Sequence, residues 1–157
     1  MKKLTIISGG QTGADRGALD FALDLNLSCS GFCPKGRLAE DGVIPSYYPL
    51  RETSSALYET RTLWNVIHSD GTLVFKWKVP FFEGTHKTIQ FCEKERKPLF
   101  VFYLDTLSIE EQLERLKEWL IRYHIERLNV AGNRESQDPG IHNQTYGVLK
   151  RFYEYYF

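Results

Sequence analysis

Leu4-Thr5-Ile6-Ile7-Ser8-Gly9-Gly10-Gln11-Thr12-Gly13-Ala14-Asp15-Arg16 is the stretch that decides the fold. Its first residues are a compact apolar run that reads as a buried strand. The glycines that follow permit a tight turn. Over residues 15–27, Ala18, Phe21, Ala22 and Leu25 recur at helical spacing and predict an amphipathic helix. Strand, glycine turn and helix make one βα unit.

The same alternation runs outward to the end of the chain. Residues 29–33 read as a weak short strand. Residues 34–54, rich in Gly, Pro and charge, read as a long irregular segment, and such segments in small domains are usually functional. A helix is expected over 55–68, with Leu57, Thr60, Leu63, Trp64 and Ile67 inward. Strands follow at 71–77, 99–104 and 127–131, and helices at 85–95, from Ser108 and over about 139–156. Ser108-x-x-Glu111 has the form of a capping box. The core stripe behind it is Leu113, Leu116, Trp119, Leu120 and Tyr123. Apolar strands alternating with amphipathic helices predict a mostly parallel sheet of about five strands, covered by helices on both faces as a three-layer α/β sandwich. Ligands of such sheets bind beyond the carboxyl ends of the strands.

Composition narrows the function. The 157 residues carry 20 Lys+Arg against 20 Asp+Glu, with 42% hydrophobic and 25% charged residues, which suits one globular domain spanning 1–157 and argues against disorder. The balance holds along the chain: residues 1–50 have five basic and five acidic groups, 51–100 eight and six, 101–157 seven and nine. A nucleic-acid binder normally carries a basic excess, so no nucleic-acid partner is expected. Cys29, Cys33 and Cys92 form neither a disulfide framework nor a zinc spacing and read as small core residues. His68, His86, His124 and His142 are scattered. The apolar run after Lys3 is too short for a signal-peptide core and no run approaches a membrane span, so a soluble cytoplasmic protein is expected. The aromatic cluster Phe152, Tyr153, Tyr155, Tyr156 and Phe157 reads as a packing edge or a subunit interface.

The loops at the strand ends hold the candidate site. In the first, Ser8, Gly9, Gly10, Gln11, Thr12, Gly13 and Asp15 offer backbone N–H groups and hydroxyls to an anion at a helix N-terminus. An ordinary glycine turn with Thr12 or Asp15 as helix cap fits equally well. The second, Cys33-Pro34-Lys35-Gly36-Arg37-Leu38-Ala39-Glu40-Asp41-Gly42, brings two cations that suit an oxyanion. Local ion pairs such as Arg37 with Asp41 are its alternative. Arg61, Thr62 and Asn65 share a polar helix face that reads as surface. In the third loop, Gly84, Thr85 and Thr88 open a helix, with Thr85 as a second anion donor or a simple cap. The last loop sets Gly132, Arg134 and Ser136 after a strand. Glycine-bearing loops at several strand ends point at one crevice. No catalytic triad or metal-ligand spacing is visible.

These residues resemble a known family. Ser8-Gly9-Gly10-Gln11-Thr12-Gly13-Ala14-Asp15, Cys33-Pro34-Lys35-Gly36-Arg37 with Ala39-Glu40-Asp41-Gly42, Tyr48-Pro49-Leu50 with Glu52-Thr53, and Arg61-Thr62 with Asn65-Val66 look like the molybdenum cofactor carrier proteins. That group is similar to the lysine-decarboxylase-like proteins and the cytokinin-activating phosphoribohydrolases. The resemblance runs from Leu4 to about Leu149. It implies a Rossmann-like fold, homo-oligomers (dimer or tetramer) and a pocket for an anionic pterin or nucleotide. Two positions depart from the pattern: Glu83 stands where a glycine is expected and Asn133 where a proline is. A carboxylate at 83 opposes an anion, so that cradle is expected to be weaker or turned away. The phosphoribohydrolase pattern also puts a glutamate where Thr88 stands, so the hydrolytic acid is missing.

The expected function is therefore carriage of a small anionic ligand, the molybdenum cofactor or a nucleotide, with no catalytic residues and no metal ligands. A phosphoribohydrolase using Glu40, Asp41 or Glu52 as its acid is the second expectation, and a nucleotide sensor the third.

Overall fold

The structure, a computed structural model, describes residues 3–79, 82–105 and 108–157. In chain order its elements are β1 (Thr5–Ile7), α1 (Ala14–Asp24), β2 (Cys29–Ser30), β3 (Phe32–Cys33), β4 (Leu38–Ala39), β5 (Gly42–Val43) and β6 (Arg51–Glu52). They continue with α2 (Tyr58–Ile67), β7 (Gly71–Lys76), α3 (Glu83–Lys94), β8 (Leu99–Tyr103), α4 (Ile109–Arg122), β9 (Arg127–Gly132) and α5 (Ile141–Tyr156). Five strands form a parallel sheet in the order β2-β1-β9-β7-β8. Every residue of β7 from Gly71 to Phe75 is buried, as a parallel strand covered on both faces requires. α1 packs on α5 and α2 on α3. The result is the expected Rossmann-like α/β sandwich.

The strand order carries a rearrangement that periodicity does not reveal. Placing β9 and α5 ahead of β1 would turn the order into 3-2-1-4-5, the arrangement of doubly wound sheets. The chain thus begins at the second strand of that scheme and ends with the first. The crossovers diverge between β9 and β7, so the ligand crevice of this sheet is expected at their carboxyl ends.

The main core joins Leu4, Ile6, Leu73, Phe75, Phe102, Leu128 and Val130 of the sheet to buried residues of α1, α4 and α5. α1 and α5 approach closely because Gly17 has no side chain: a Cβ there would lie 2.4 Å from the His142 carbonyl oxygen. Ser108 is the N-cap of α4, and its hydroxyl donates to the Glu111 carboxylate at 3.1 Å. Three helices end in the left-handed region without glycine, at Asn26, Arg96 and His124. After α4, for example, Ile125 N–H donates to the Leu120 carbonyl and His124 N–H to that of Ile121.

Residues 29–54 correct the sequence reading twice. The single strand over 29–33 is two, split at Gly31, whose φ of 150° and whose would-be Cβ 1.9 Å from the Ser8 carbonyl oxygen both demand glycine. The segment 34–54 is not irregular. It holds the β4–β5 hairpin and β6, which pairs with β3, and its Ala39, Ile44 and Tyr48 form a second small core with Leu19 and Cys33. Cys33 and Cys92 are buried and Cys29 half-buried, all free, and burial pushes their thiols up. No helix among the described residues is long and apolar enough to cross a membrane.

Candidate functional site

A cavity of about 310 Å³ opens at the carboxyl end of β9, between the loop after β1 and the first turns of α3, the helix that follows β7, and is roofed by α2. It therefore lies at the switch point that the strand order defines. Its volume is near the lower end of small-molecule sites, about 300–1,000 Å³. Of the expected residues, Gly9, Gln11, Asp15, Gly84, Thr85, Thr88, Gly132 and Arg134 line it. Ser8, Gly10, Thr12, Gly13, Lys35, Gly36, Arg37, Glu40, Asp41 and Ser136 lie outside its lining.

The first loop spends most of its donors inside the protein. Ser8 Oγ donates to the Val130 carbonyl at 2.7 Å, tying β1 to the end of β9. Gln11 N–H donates to Asp15 Oδ2 at 3.2 Å, Thr12 N–H to the Gln11 side-chain oxygen at 3.0 Å, and Ala14 N–H to the Asn133 carbonyl at 3.2 Å. Gly13 is required by its φ of 83° and by the Asn133 carbonyl oxygen, 2.4 Å from where its Cβ would be. Asp15 does not cap through its own hydrogen bond: it sits buried against Arg61, 3.7 Å away. Burial pushes its carboxyl above the usual range, against the opposing pull of the Arg61 guanidinium.

α2 corrects the sequence reading. Arg61 and Asn65 are 7% and 2% exposed rather than surface residues. Arg61 Nη1 donates to the Gly9 carbonyl at 2.9 Å, and that guanidinium remains charged when buried. The Asn65 amide accepts from Phe32 N–H at 2.8 Å and donates to the Phe32 carbonyl at 3.0 Å, replacing a strand partner for β3. These contacts aim α2 over the first loop. The Tyr58 ring then meets two guanidiniums, Arg61 at 5.4 Å and Arg134 at 5.3 Å from its ring centre. Tyr58, Glu59 and Lys87 complete that wall, with Lys87 paired to Glu59 at 2.6 Å. Sequence reasoning missed these three; only the packing of α2 on α3 brings them to the cavity.

α3 begins at Glu83, two residues before the expected start, so Gly84 and Thr85 lie within its first turn, and Phe82 is the N-cap. Glu83 lines the cavity and is not turned away. Thr85 Oγ1 donates to the Asn133 side-chain oxygen, whose amide nitrogen meets Asp138 at 3.5 Å. The asparagine that departs from the family pattern thus links α3 to the last loop. Gly132 permits close approach there, since a Cβ would stand 2.5 Å from the Phe75 carbonyl oxygen.

The second loop is a scaffold. Arg37, at φ 53°, donates to four backbone carbonyls: Ile44 at 3.1 Å, Leu50 at 3.3 Å, Pro45 at 2.7 Å and Tyr48 at 3.0 Å. It does not pair with Asp41. Asp41 binds Arg16 through both oxygens, at 2.6 and 2.8 Å, and that hydrogen bonding holds its carboxyl below the usual range. Gly36 N–H donates to Glu52 at 2.6 Å, and Lys35 is exposed. Glu40 accepts from the hydroxyls of Thr12 and Ser136 and from Ser136 N–H at 3.2 Å. None of Glu40, Asp41 and Glu52, the acids expected of a hydrolase, lines the cavity; the carboxylates that do are Asp15, Glu59 and Glu83.

A family model described as the circularly permutated YpsA SLOG family matches residues 6–153. Among solved structures, the chain is similar to a "putative molybdenum carrier protein" from Syntrophus aciditrophicus SB, with 42% sequence identity and a TM-score of 0.92, over 96% of this chain and 95% of that one. No curated protein matches at comparable significance.

Proposed function

Because the chain belongs to the circularly permutated YpsA SLOG family, we propose that it is a carrier for an anionic, phosphate-bearing small molecule held in the switch-point cavity. The molybdenum cofactor is the favoured cargo and a related nucleotide the alternative. One observation carries this proposal: the cavity sits where the crossovers of a doubly wound sheet diverge, with Arg134 and Lys87 on its wall. The likeness to the solved structure named a "putative molybdenum carrier protein" supports a carrier role.

The lining suits the organic part of such a cargo. Arg134 supplies positive charge for a phosphate, beside the Lys87–Glu59 ion pair. The amides of Gln11 and Asn129 and the carboxylates of Glu59 and Glu83 can meet the donor and acceptor edge of a pterin or purine. No cysteine or histidine is among the lining residues, so a metal centre would meet oxygen, amide and cationic nitrogen groups rather than soft ligands.

Calorimetric titration with the molybdenum cofactor and with mononucleotides tests the proposal. Saturable binding that weakens in Arg134→Ala is expected, with nucleotide recovered intact. Absence of saturable binding of every one of these anions would overturn it. We also propose a homo-oligomer, for which the exposed Tyr155 and Phe157 at the end of α5 are candidate contacts. A monomeric mass in solution scattering would overturn that part.

A further inference from the structure

We propose that the Glu40 carboxylate is an internal occupant of an oxyanion site built by Thr12, Ser136 and Arg134, and that a phosphate group of the ligand exchanges with it. The proposal rests on the carrier function above and adds a built-in competitor to it.

The donor set is that of a phosphate site. One carboxylate oxygen accepts from Thr12 Oγ1 and from Ser136 N–H at 3.2 Å, and the other from Ser136 Oγ. Arg134 Nη1 stands 3.9 Å from the second oxygen. Two hydroxyls, a backbone N–H and a guanidinium at the carboxyl ends of β1 and β9 match a tetrahedral oxyanion better than a lone carboxylate. Burial opposes the charged form of Glu40, yet the hydrogen bonds from Ser136 and Thr12 outweigh it and hold the carboxyl below its usual range.

Two residues are shared between this site and the cavity. Arg134 lines the cavity while facing Glu40, so its charge is partly neutralised before any ligand arrives. Gln11 lines the cavity too, and its side-chain oxygen holds both Thr12 N–H and Glu40 N–H, at 3.0 and 2.9 Å. Its amide nitrogen is buried without a hydrogen-bond partner, so the closed arrangement leaves a donor unused, and release of Glu40 lets it move to meet an acceptor. The exchange asks little of the fold. Glu40 is at the tip of the β4–β5 hairpin, beside Gly42, around which nothing lies within 4 Å of a would-be Cβ. Asp41 stays anchored by Arg16, so Glu40 can let go, carboxylate and N–H together, while the hairpin stays attached.

Calorimetric titration with inorganic phosphate, on the wild type, Glu40→Ala, Glu40→Gln and Glu40→Ala with Arg134→Ala, tests this. Removing the competitor is expected to tighten phosphate binding about tenfold, and adding Arg134→Ala is expected to reverse the gain. In the wild type, saturating phosphate is expected to speed amide exchange at Glu40. Equal or weaker binding in Glu40→Ala, with wild-type circular dichroism, would overturn the proposal. So would a failure of phosphate to bind any form. If the molybdenum cofactor or a mononucleotide still binds the wild type in that case, the carrier function stands and only the exchange falls. Should Glu40→Ala fold poorly, Glu40→Gln and wild-type amide exchange decide alone.

Discussion

Replacing Arg37 by alanine is expected to loosen the arm spanning residues 34–54 without removing a ligand contact. Its guanidinium donates to the carbonyls of Ile44, Pro45, Tyr48 and Leu50, the groups that fold the arm over Leu19, Ile44 and Tyr48. The bonds to Pro45 and Tyr48, 2.7 and 3.0 Å, are the short ones. At about 1.5 kcal/mol each, the low end for a charged donor, these two contribute about 3 kcal/mol. The pair to Ile44 and Leu50, at 3.1 and 3.3 Å, is longer and weaker and adds little. For a chain of this size that loss lowers Tm by about 6–12 °C. Arg37→Lys recovers only part of it, since one ammonium cannot reproduce the fork. Thermal denaturation, paired with calorimetric titration of the preferred ligand below the transition, measures both effects. An Arg37→Ala variant with unchanged Tm and a lost affinity would refute the scaffold role and return Arg37 to the ligand.

Gly17→Ala is expected to destabilise by about 1–3 kcal/mol in urea, because its Cβ would meet the His142 carbonyl between α1 and α5. An unchanged urea midpoint would contradict that close approach. His124→Gly is expected to stabilise by about 0.5–1 kcal/mol by relieving a φ of 52° at the end of α4, again read in urea. Glu40 and Asp41 titrate below their ordinary values of 4.5 and 3.8 when folded. Their contribution to stability is thus complete above those values and lost as pH falls through the lowered ones. Below about pH 4 the wild-type urea midpoint should fall more steeply than that of Glu40→Gln with Asp41→Asn; parallel curves would contradict the two clasps.

The βα alternation was legible because strand and helix leave different periods in the apolar residues. The glycine loops were legible because sharp turns need small residues. Their purpose was not. Gly13 and Gly31 clear space for the backbone of residues distant in sequence, Asn133 and Ser8, and no local pattern encodes that neighbour. Arg61 and Asn65 resemble surface residues in a helical window, since a polar side chain carries no mark of its burial. Their partners, Gly9 and Phe32, are 52 and 33 residues away.

What the sequence determined by itself is therefore the parallel α/β sandwich and the strand ends at which a ligand would bind, because both follow from local periodicity and turn chemistry. Tertiary structure alone decided the strand order, with β9 inserted between β1 and β7, and hence where the switch point falls. It also decided which charges line the cavity and which are spent inside the fold. Arg37 and Asp41 find partners within the chain, while Arg134 reaches the cavity. A charged side chain is assigned by what lies within a few ångströms of it, and that distance is fixed only when the whole chain has packed.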